Sequence, residues 1–190
     1  MKNENKLKGR DLINIGVFGA IYFVILFAVA MLGMIPIFLP LLSVLVPIAG
    51  GMLFLTKVKK IGMIFIMAMI MGILMLLTGM GPWPLLTCAI AGGLAEISLN
   101  RGKYKSIKRA ILSCGLFSMW IFGNYLPLFT DEGYFAQRAD YGQAYIDAVS
   151  KLMPIWMAPI LLIACFVCGI LGGFLGQTLL KKHFQKAGIA

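Results

Sequence analysis

Charged residues are absent from long stretches of this chain, and that absence limits its possible folds more than any other feature. Only 13% of its 190 residues are charged, against roughly 25% in an ordinary soluble domain. A helix needs about 20 apolar residues to cross the hydrocarbon core of a bilayer. The pattern therefore predicts an all-α membrane protein and excludes secreted, disordered and soluble-enzyme classes. The stretches are 12–35, 36–56, 61–100 with one acid, 110–130 and 152–180.

Glycine and proline divide these stretches into separate helices. The stretch 61–100 is too long for one crossing, and Gly79-Met80-Gly81-Pro82 is the turn signal within it. A second break lies between Gly33 and Pro36. The sequence predicts one transmembrane domain over 1–190, a bundle of six membrane helices at about 12–33, 37–56, 61–79, 83–99, 108–130 and 154–180.

Lysine and arginine are distributed unevenly between the two sides of such a bundle. Of the 17 in the chain, all but Arg138 and Lys151 lie at the termini or in the second and fourth loops. Positively charged loops stay in the cytoplasm, so both termini are predicted to be cytoplasmic. The net charge of +10 is then a topology signal and not a nucleic-acid-binding patch. The first helix resembles a signal peptide, but cleavage would leave five helices, so we interpret it as a retained span.

The predicted outer half combines prolines with aromatic and amide side chains. Most prolines lie near outer helix ends, where they either shape a cavity wall or simply end helices. The long fifth loop, 131–153, places tyrosines on one helical face, which predicts an amphipathic external helix. Aromatic and hydrogen-bonding groups under such a loop favour a pocket for a small solute, although interfacial tryptophans also form lipid-facing belts. The candidate substrate-binding residues are Trp83, Trp120, Asn124, Tyr125, Tyr141 and Tyr145.

Small residues are concentrated in the predicted inner half. Small residues four positions apart allow helix backbones to approach closely in lipid. In the fourth and sixth helices we interpret them as packing within the protein. In the first helix, Gly16, Gly19 and Ala20 fit packing against another protein equally well.

Glu96 is the only acidic residue within the predicted spans. An acid inside a membrane span is a functional candidate by default. Because Glu96 lies near the basic inner loop, a structural salt bridge to Arg101 or Arg109 is favoured over a coupling role. A proton relay would need a second acid or a histidine, and the spans contain neither.

The sequence lacks the residue patterns of an enzyme or a metal site. Gly102-Lys103 is not a P-loop, because Ile97 stands at the earlier glycine position and Tyr104 replaces the Ser or Thr. Cys165 and Cys168 have redox spacing but lie in an apolar helix, where thiols are inert. We therefore expect no catalytic residue, no metal and no cofactor.

Ordered short motifs along nearly the whole chain resemble the Trep_Strep family of bacterial integral membrane proteins. The motifs are the segment 11–23, the Pro36 and Pro40 pair, Thr78-Gly79 with Pro82-Trp83, and the run 92–96. That family is similar to the substrate-binding S components of energy-coupling factor (ECF) transporters. The resemblance implies six helices with cytoplasmic termini and a vitamin, vitamin precursor or metal bound at the outer side. It also implies a transmembrane T component and two cytoplasmic ATPases as partners.

The resemblance assigns a role to the first helix. The family's Ala-x-x-x-Ala motif, which docks on the T component, corresponds here to Gly16 and Ala20. The nickel and cobalt branch has an N-terminal histidine extension, whereas this chain begins Met-Lys-Asn-Glu, so metal transport is not implied. The leading hypothesis is an S component for a small organic micronutrient in the bacterial cytoplasmic membrane. The alternatives are a stand-alone facilitator and a non-transport membrane scaffold.

Overall fold

The computed structural model describes residues 7–54, 60–131, 134 and 142–186, and these residues form helices and turns without a β-strand. Within these described residues, eight segments are α-helical and three are 3-10 helical. The α-helices are α1 (Gly9–Ala30), α2 (Leu42–Phe54), α3 (Met63–Leu77), α4 (Trp83–Arg101), α5 (Ile107–Ser118), α6 (Leu126–Thr130), α7 (Gln143–Leu152) and α8 (Met157–Lys186). The 3-10 segments are Met31–Met34, Pro36–Leu41 and Met119–Asn124.

Glycine and proline separate α3 from α4 at the turn signal noted in the sequence. Gly79 and Gly81 have φ of +83° and +79°, a backbone region that other residues rarely occupy. Pro82 is the N-cap of α4, and Pro84 lies in its first turn, where a missing amide hydrogen costs nothing. The long charge-free stretch therefore folds back on itself at this point.

Two of the predicted helices are less regular than the sequence suggests. The helix expected at 37–56 begins as the 3-10 segment Pro36–Leu41, and the helix expected at 108–130 divides into α5, the 3-10 segment Met119–Asn124 and α6. The second irregular segment lies against α4, because a Cβ on Gly123 would fall within bonding distance of the Thr87 hydroxyl oxygen and 2.9 Å from the Pro84 Cα. Both irregular segments lie at the same end of the bundle.

Glycines hold α2 against α8 at backbone contact. A Cβ on Gly172 would lie 2.3 Å from the Ile48 carbonyl oxygen, and a Cβ on Gly51 would lie 2.6 Å from that of Gly169. On the other side of the bundle, a Cβ on Gly92 of α4 would lie 2.5 Å from the Ala68 Cβ of α3. Gly92 of α4 and Gly169 and Gly172 of α8 thus pack within the protein, as expected for interhelical contacts in lipid, whereas a Cβ on Gly93 of α4 would meet nothing within 4 Å.

The two ends of the bundle differ in charge. One end contains the start of α1, the start of α3, the α4–α5 turn and the end of α8, together with an ion pair of 2.5 Å between Lys60 Nζ and Asp11 Oδ2. We name it the basic end. The opposite end contains both 3-10 segments that follow α1, the α3–α4 turn, α6 and α7; we name it the cavity end.

Apolar side chains cover much of the outer surface of the bundle. The helical segments Gly9–Met34 and Met157–Thr178 are long and apolar enough to cross a bilayer, and only 22% and 28% of their most apolar parts are buried. Core helices of soluble proteins are mostly buried, so these two segments are suited to contact lipid. Pro36–Gly51 and Met63–Leu77 are apolar but shorter. The complete six-crossing topology therefore stays a prediction.

Candidate functional site

A cavity of about 270 Å³ lies at the cavity end of the bundle. Residues from α1, α2, α3, α6 and α7 and from the 3-10 segments form its wall. The lining residues are Leu26, Phe27, Ala30, Gly33, Met34, Leu39, Leu42, Val46, Met75, Thr78, Met80, Ile121, Asn124, Tyr125, Leu128, Tyr134 and Tyr145. Three of the six residues predicted to bind substrate, Asn124, Tyr125 and Tyr145, are among them.

Apolar side chains make up most of the cavity wall. Its polar side chains are one threonine, one asparagine and three tyrosines, and the described wall contains no Asp, Glu, Lys, Arg or His. The Thr78 hydroxyl donates to the Met75 carbonyl oxygen at 2.8 Å, so it is engaged within its own helix. Few polar groups are therefore left for a bound molecule.

Asn124 provides the unsatisfied polar atom of the wall. Its Nδ2 donates to the Ile121 carbonyl oxygen at 3.1 Å, which orients the side-chain amide. Its Oδ1 is buried and accepts no hydrogen bond within the described part of the chain. An unpaired buried acceptor costs about 1–3 kcal/mol, and a donor on a bound molecule would remove that cost.

Two tyrosines of the wall hold the segment that follows α1. The Tyr125 hydroxyl donates to the Leu39 carbonyl oxygen at 3.0 Å, and the Tyr145 hydroxyl donates to that of Gly33 at 2.8 Å. Both bonds join residues distant in sequence, so they fix the 3-10 segments over the cavity. The sequence indicated these tyrosines as substrate contacts; in the structure their hydroxyls are engaged and their rings line the wall.

The other predicted substrate-binding residues lie elsewhere. Trp120 is fully buried and packs edge-on against Tyr22, with 6.3 Å between ring centroids. Trp83, at the start of α4, is 37% exposed. Neither tryptophan lines the cavity. Tyr141 lies outside the described residues.

Sequence reasoning missed the apolar part of the wall. Leu26, Val46, Met75 and Ile121 are buried and line the cavity, but apolar residues in a membrane helix look alike in the sequence. The i, i+4 spacing of Met71 and Met75 was a usable signal, because both are buried. It identifies the inward face of α3 without indicating a cavity.

The small residues of α1 face in two directions. Gly16 and Ala20 are exposed, and a Cβ on Gly16 would meet nothing within 4 Å. Gly19 is buried, and its Cβ would lie 3.6 Å from Met71 Cε. Gly19 therefore packs inside the bundle, whereas Gly16 and Ala20 leave a shallow groove on the outside.

Glu96 joins two turns at the basic end. Its Oε1 accepts hydrogen bonds from the Gly62 backbone amide, at 2.9 Å, and from the Tyr104 hydroxyl. The predicted salt bridge to Arg101 or Arg109 is absent from the described residues. The reason is local: the α4–α5 turn, with Tyr104 at φ +55°, brings a phenol to the carboxylate where the sequence suggested a guanidinium.

Tyr104 remains a donor at physiological pH. Burial, and then the hydrogen bond to Glu96, raise the pKa of the Tyr104 hydroxyl above its ordinary value. Its positive φ, like that of Lys103, is unfavourable for a residue with a side chain. The contact with Glu96 is one interaction that stabilises this turn, which supports a structural role for the acid.

Comparison with known protein families agrees with this architecture. A family described as a hypothetical bacterial integral membrane protein (Trep_Strep) matches residues 9–186. The chain belongs to the Trep_Strep family. Comparison with curated proteins and with solved structures gave no match.

Membership in the Trep_Strep family agrees with the surface of the bundle. Exposed apolar side chains such as Ile13, Val24, Ile163 and Phe174 are explained by lipid contact in an integral membrane protein. This Trep_Strep protein is therefore a helical membrane protein with a cavity at one end and positive charge at the other.

Proposed function

We propose that this Trep_Strep protein is the substrate-binding S component of an ECF-type importer for a small organic micronutrient. One observation supports this function above the others: the cavity is confined to the end opposite the basic residues. If basic loops are cytoplasmic, the cavity faces the outside of the cell. A capture site on the outer side is what an importer's binding subunit needs.

The core beneath the cavity argues against a stand-alone facilitator. Tyr22, Phe117 and Trp120 are fully buried and in ring contact. Tyr22 and Phe117 lie about one helical turn nearer the basic end than the wall residues Leu26 and Ile121. A facilitator needs a continuous path, and three packed aromatic rings close it here. Release to the cytoplasm then requires a movement driven by a partner.

The groove on α1 is the proposed docking surface for the T component. Gly16 and Ala20 are exposed at a spacing that suits close helix approach, and Gly16 has no neighbour within the described bundle. Two cytoplasmic ATPases would complete the importer and hydrolyse ATP, since this sequence has no P-loop. The chain itself would have no enzymatic activity, metal or cofactor.

The proposed topology has six crossings of the bacterial cytoplasmic membrane with both termini inside. The short helices Pro36–Gly51 and Met63–Leu77 then cross together with the turns and 3-10 segments that extend them. Irregular backbone at that depth is tolerated where it lines a cavity, and Leu39 and Met80 do line it.

Affinity purification from the native host tests the function. We expect the tagged chain to retain a T component and two ATPases, and Gly16→Leu with Ala20→Leu to remove them while substrate binding persists. Gly93→Leu is the matched control, because a Cβ on Gly93 of α4 also meets nothing within 4 Å. Absence of all three partners from the wild type would refute the importer, and loss of partners in the control would refute docking through α1.

A non-transport scaffold is the competing function. The scaffold would use the same α1 groove but would have no need of the cavity. Uptake by proteoliposomes distinguishes the three possibilities: an S component needs its ATPases and ATP, a facilitator needs neither, and a scaffold gives no uptake in either case.

A further inference from the structure

Four buried residues of the cavity wall present only hydrocarbon or sulfur to the cavity. Leu26, Val46, Met75 and Ile121 are each at most 7% exposed and lie in four different structural segments. Such a surface lowers the free energy of a bound molecule only by removing its apolar area from water. It offers nothing to a charged group, which would lose its hydration without compensation.

Three of the four hydroxyls in the described wall donate to backbone carbonyls of the protein. Thr78 donates to Met75, Tyr125 to Leu39 and Tyr145 to Gly33. Each of these three hydroxyls donates its single hydrogen to a backbone carbonyl. They can accept a hydrogen bond, but they do not donate one to a carboxylate or a phosphate.

Asn124 Oδ1 is the atom of the wall that calls for a particular chemical group. It is a buried acceptor without a partner among the described residues, and one of the two Nδ2 hydrogens is donated to the Ile121 carbonyl oxygen. An acceptor is satisfied by an N–H or O–H group and not by another carbonyl. The Oδ1 atom therefore favours a bound molecule that carries a donor.

We infer that the substrate is a small uncharged molecule, apolar over most of its surface, with an N–H or O–H group that donates to Asn124 Oδ1. That this molecule is a transported substrate rests on the proposed function. The predicted binding chemistry does not depend on that function. The cavity volume of about 270 Å³ lies just below the range of about 300–1,000 Å³ typical of drug-sized ligands. The described part of the wall therefore disfavours phosphorylated or ionised micronutrients, because it contains no basic residue to compensate their charge.

Recovery of the bound compound tests the inference. The full chain is purified in mild detergent, the bound small molecule is released by denaturation, and mass spectrometry identifies it. We expect a compound without ionised groups at pH 7, and about ten-fold weaker binding of that compound to Asn124→Leu. Ser150→Ala is the control, because that hydroxyl bonds only within α7, to the Ile146 carbonyl.

A second comparison separates recognition from misfolding of the variant. The recovered compound and its form methylated at the donor are titrated against the wild type and Asn124→Leu. We expect methylation to weaken wild-type binding about ten-fold and to leave Asn124→Leu binding unchanged. Equal wild-type affinity for the two compounds, recovery of a carboxylate, phosphate or ammonium compound, or no compound enriched over Asn124→Leu would each overturn the inference.

The same preparations show which proposal has failed. A charged compound recovered together with a T component and ATPases overturns the substrate class and leaves the importer standing. An uncharged donor compound recovered without these partners does the reverse.

Discussion

Replacing Gly172 by alanine should separate α2 from α8. The new Cβ would lie 2.3 Å from the Ile48 carbonyl oxygen and 2.8 Å from the Ile48 Cα, whereas ordinary contacts begin at 3.4 Å. Both obstructing atoms belong to the backbone, so no side chain can rotate away. The helices must move apart by about 1 Å, the difference between the two distances, along the most extensive helix contact in the described bundle.

The magnitude follows from two opposing terms. Overpacking a tight interface costs about 1–3 kcal/mol, and a backbone obstruction belongs at the upper limit. Replacing glycine by alanine inside a helix raises the free energy of unfolding by about 1 kcal/mol. The net loss is about 2 kcal/mol for Gly172→Ala. For Gly93→Ala, where the added Cβ meets nothing, only the gain remains. The two variants should therefore differ by about 3 kcal/mol.

Reversible unfolding in mixed detergent–SDS micelles measures this difference. Helix content by circular dichroism follows the transition, and the free energy of unfolding is compared among the wild type, Gly172→Ala and Gly93→Ala. A Gly172→Ala protein as stable as Gly93→Ala would refute the assignment of backbone contact between α2 and α8. It would indicate that the small residues of α8, like Gly16, form a surface for another protein.

Two further variants probe the two ends of the bundle. Tyr145→Phe removes the donor to the Gly33 carbonyl, which destabilises the segment 31–41 by about 1 kcal/mol. The rate of amide hydrogen exchange in residues 31–41 should therefore rise about five-fold. An unchanged exchange rate would mean that this bond does not hold the segment. Tyr104→Phe leaves the Glu96 carboxylate with one donor fewer and should lower the free energy of unfolding by about 2 kcal/mol. Glu96→Gln retains an acceptor for both donors and should lose less; a larger loss for Glu96→Gln would indicate that its charge matters beyond these bonds.

The sequence was informative wherever a local signal determines the backbone. Charge-free length predicts where a helix can lie in lipid, and the described helices fall in or near all six predicted ranges. Gly79 and Pro82 end and start helices for reasons that need no tertiary partner. Asn124 and Tyr125 were selected on similar grounds, because they are polar or amphipathic groups in a segment otherwise free of charge, and both line the cavity.

The sequence did not predict the direction in which individual side chains point. Trp120 and Asn124 are four residues apart in one segment, yet Trp120 is buried in the core and Asn124 lines the cavity. The segment between them is 3-10 helical, which rotates successive side chains differently from an α-helix. Likewise, the backbone of the α4–α5 turn brings Tyr104 to Glu96. No pattern of charged residues in the sequence indicates this contact.

By itself the sequence determined the membrane environment, the helix positions and the predicted orientation, because each depends on hydrophobic length, charge and backbone-breaking residues that act locally. Only the tertiary structure decided which small residues meet and which remain free. Gly16 and Gly19 are three residues apart on α1, and one is open while the other packs against Met71. Their chemistry is identical, so the difference lies entirely in which neighbouring helix occupies each side.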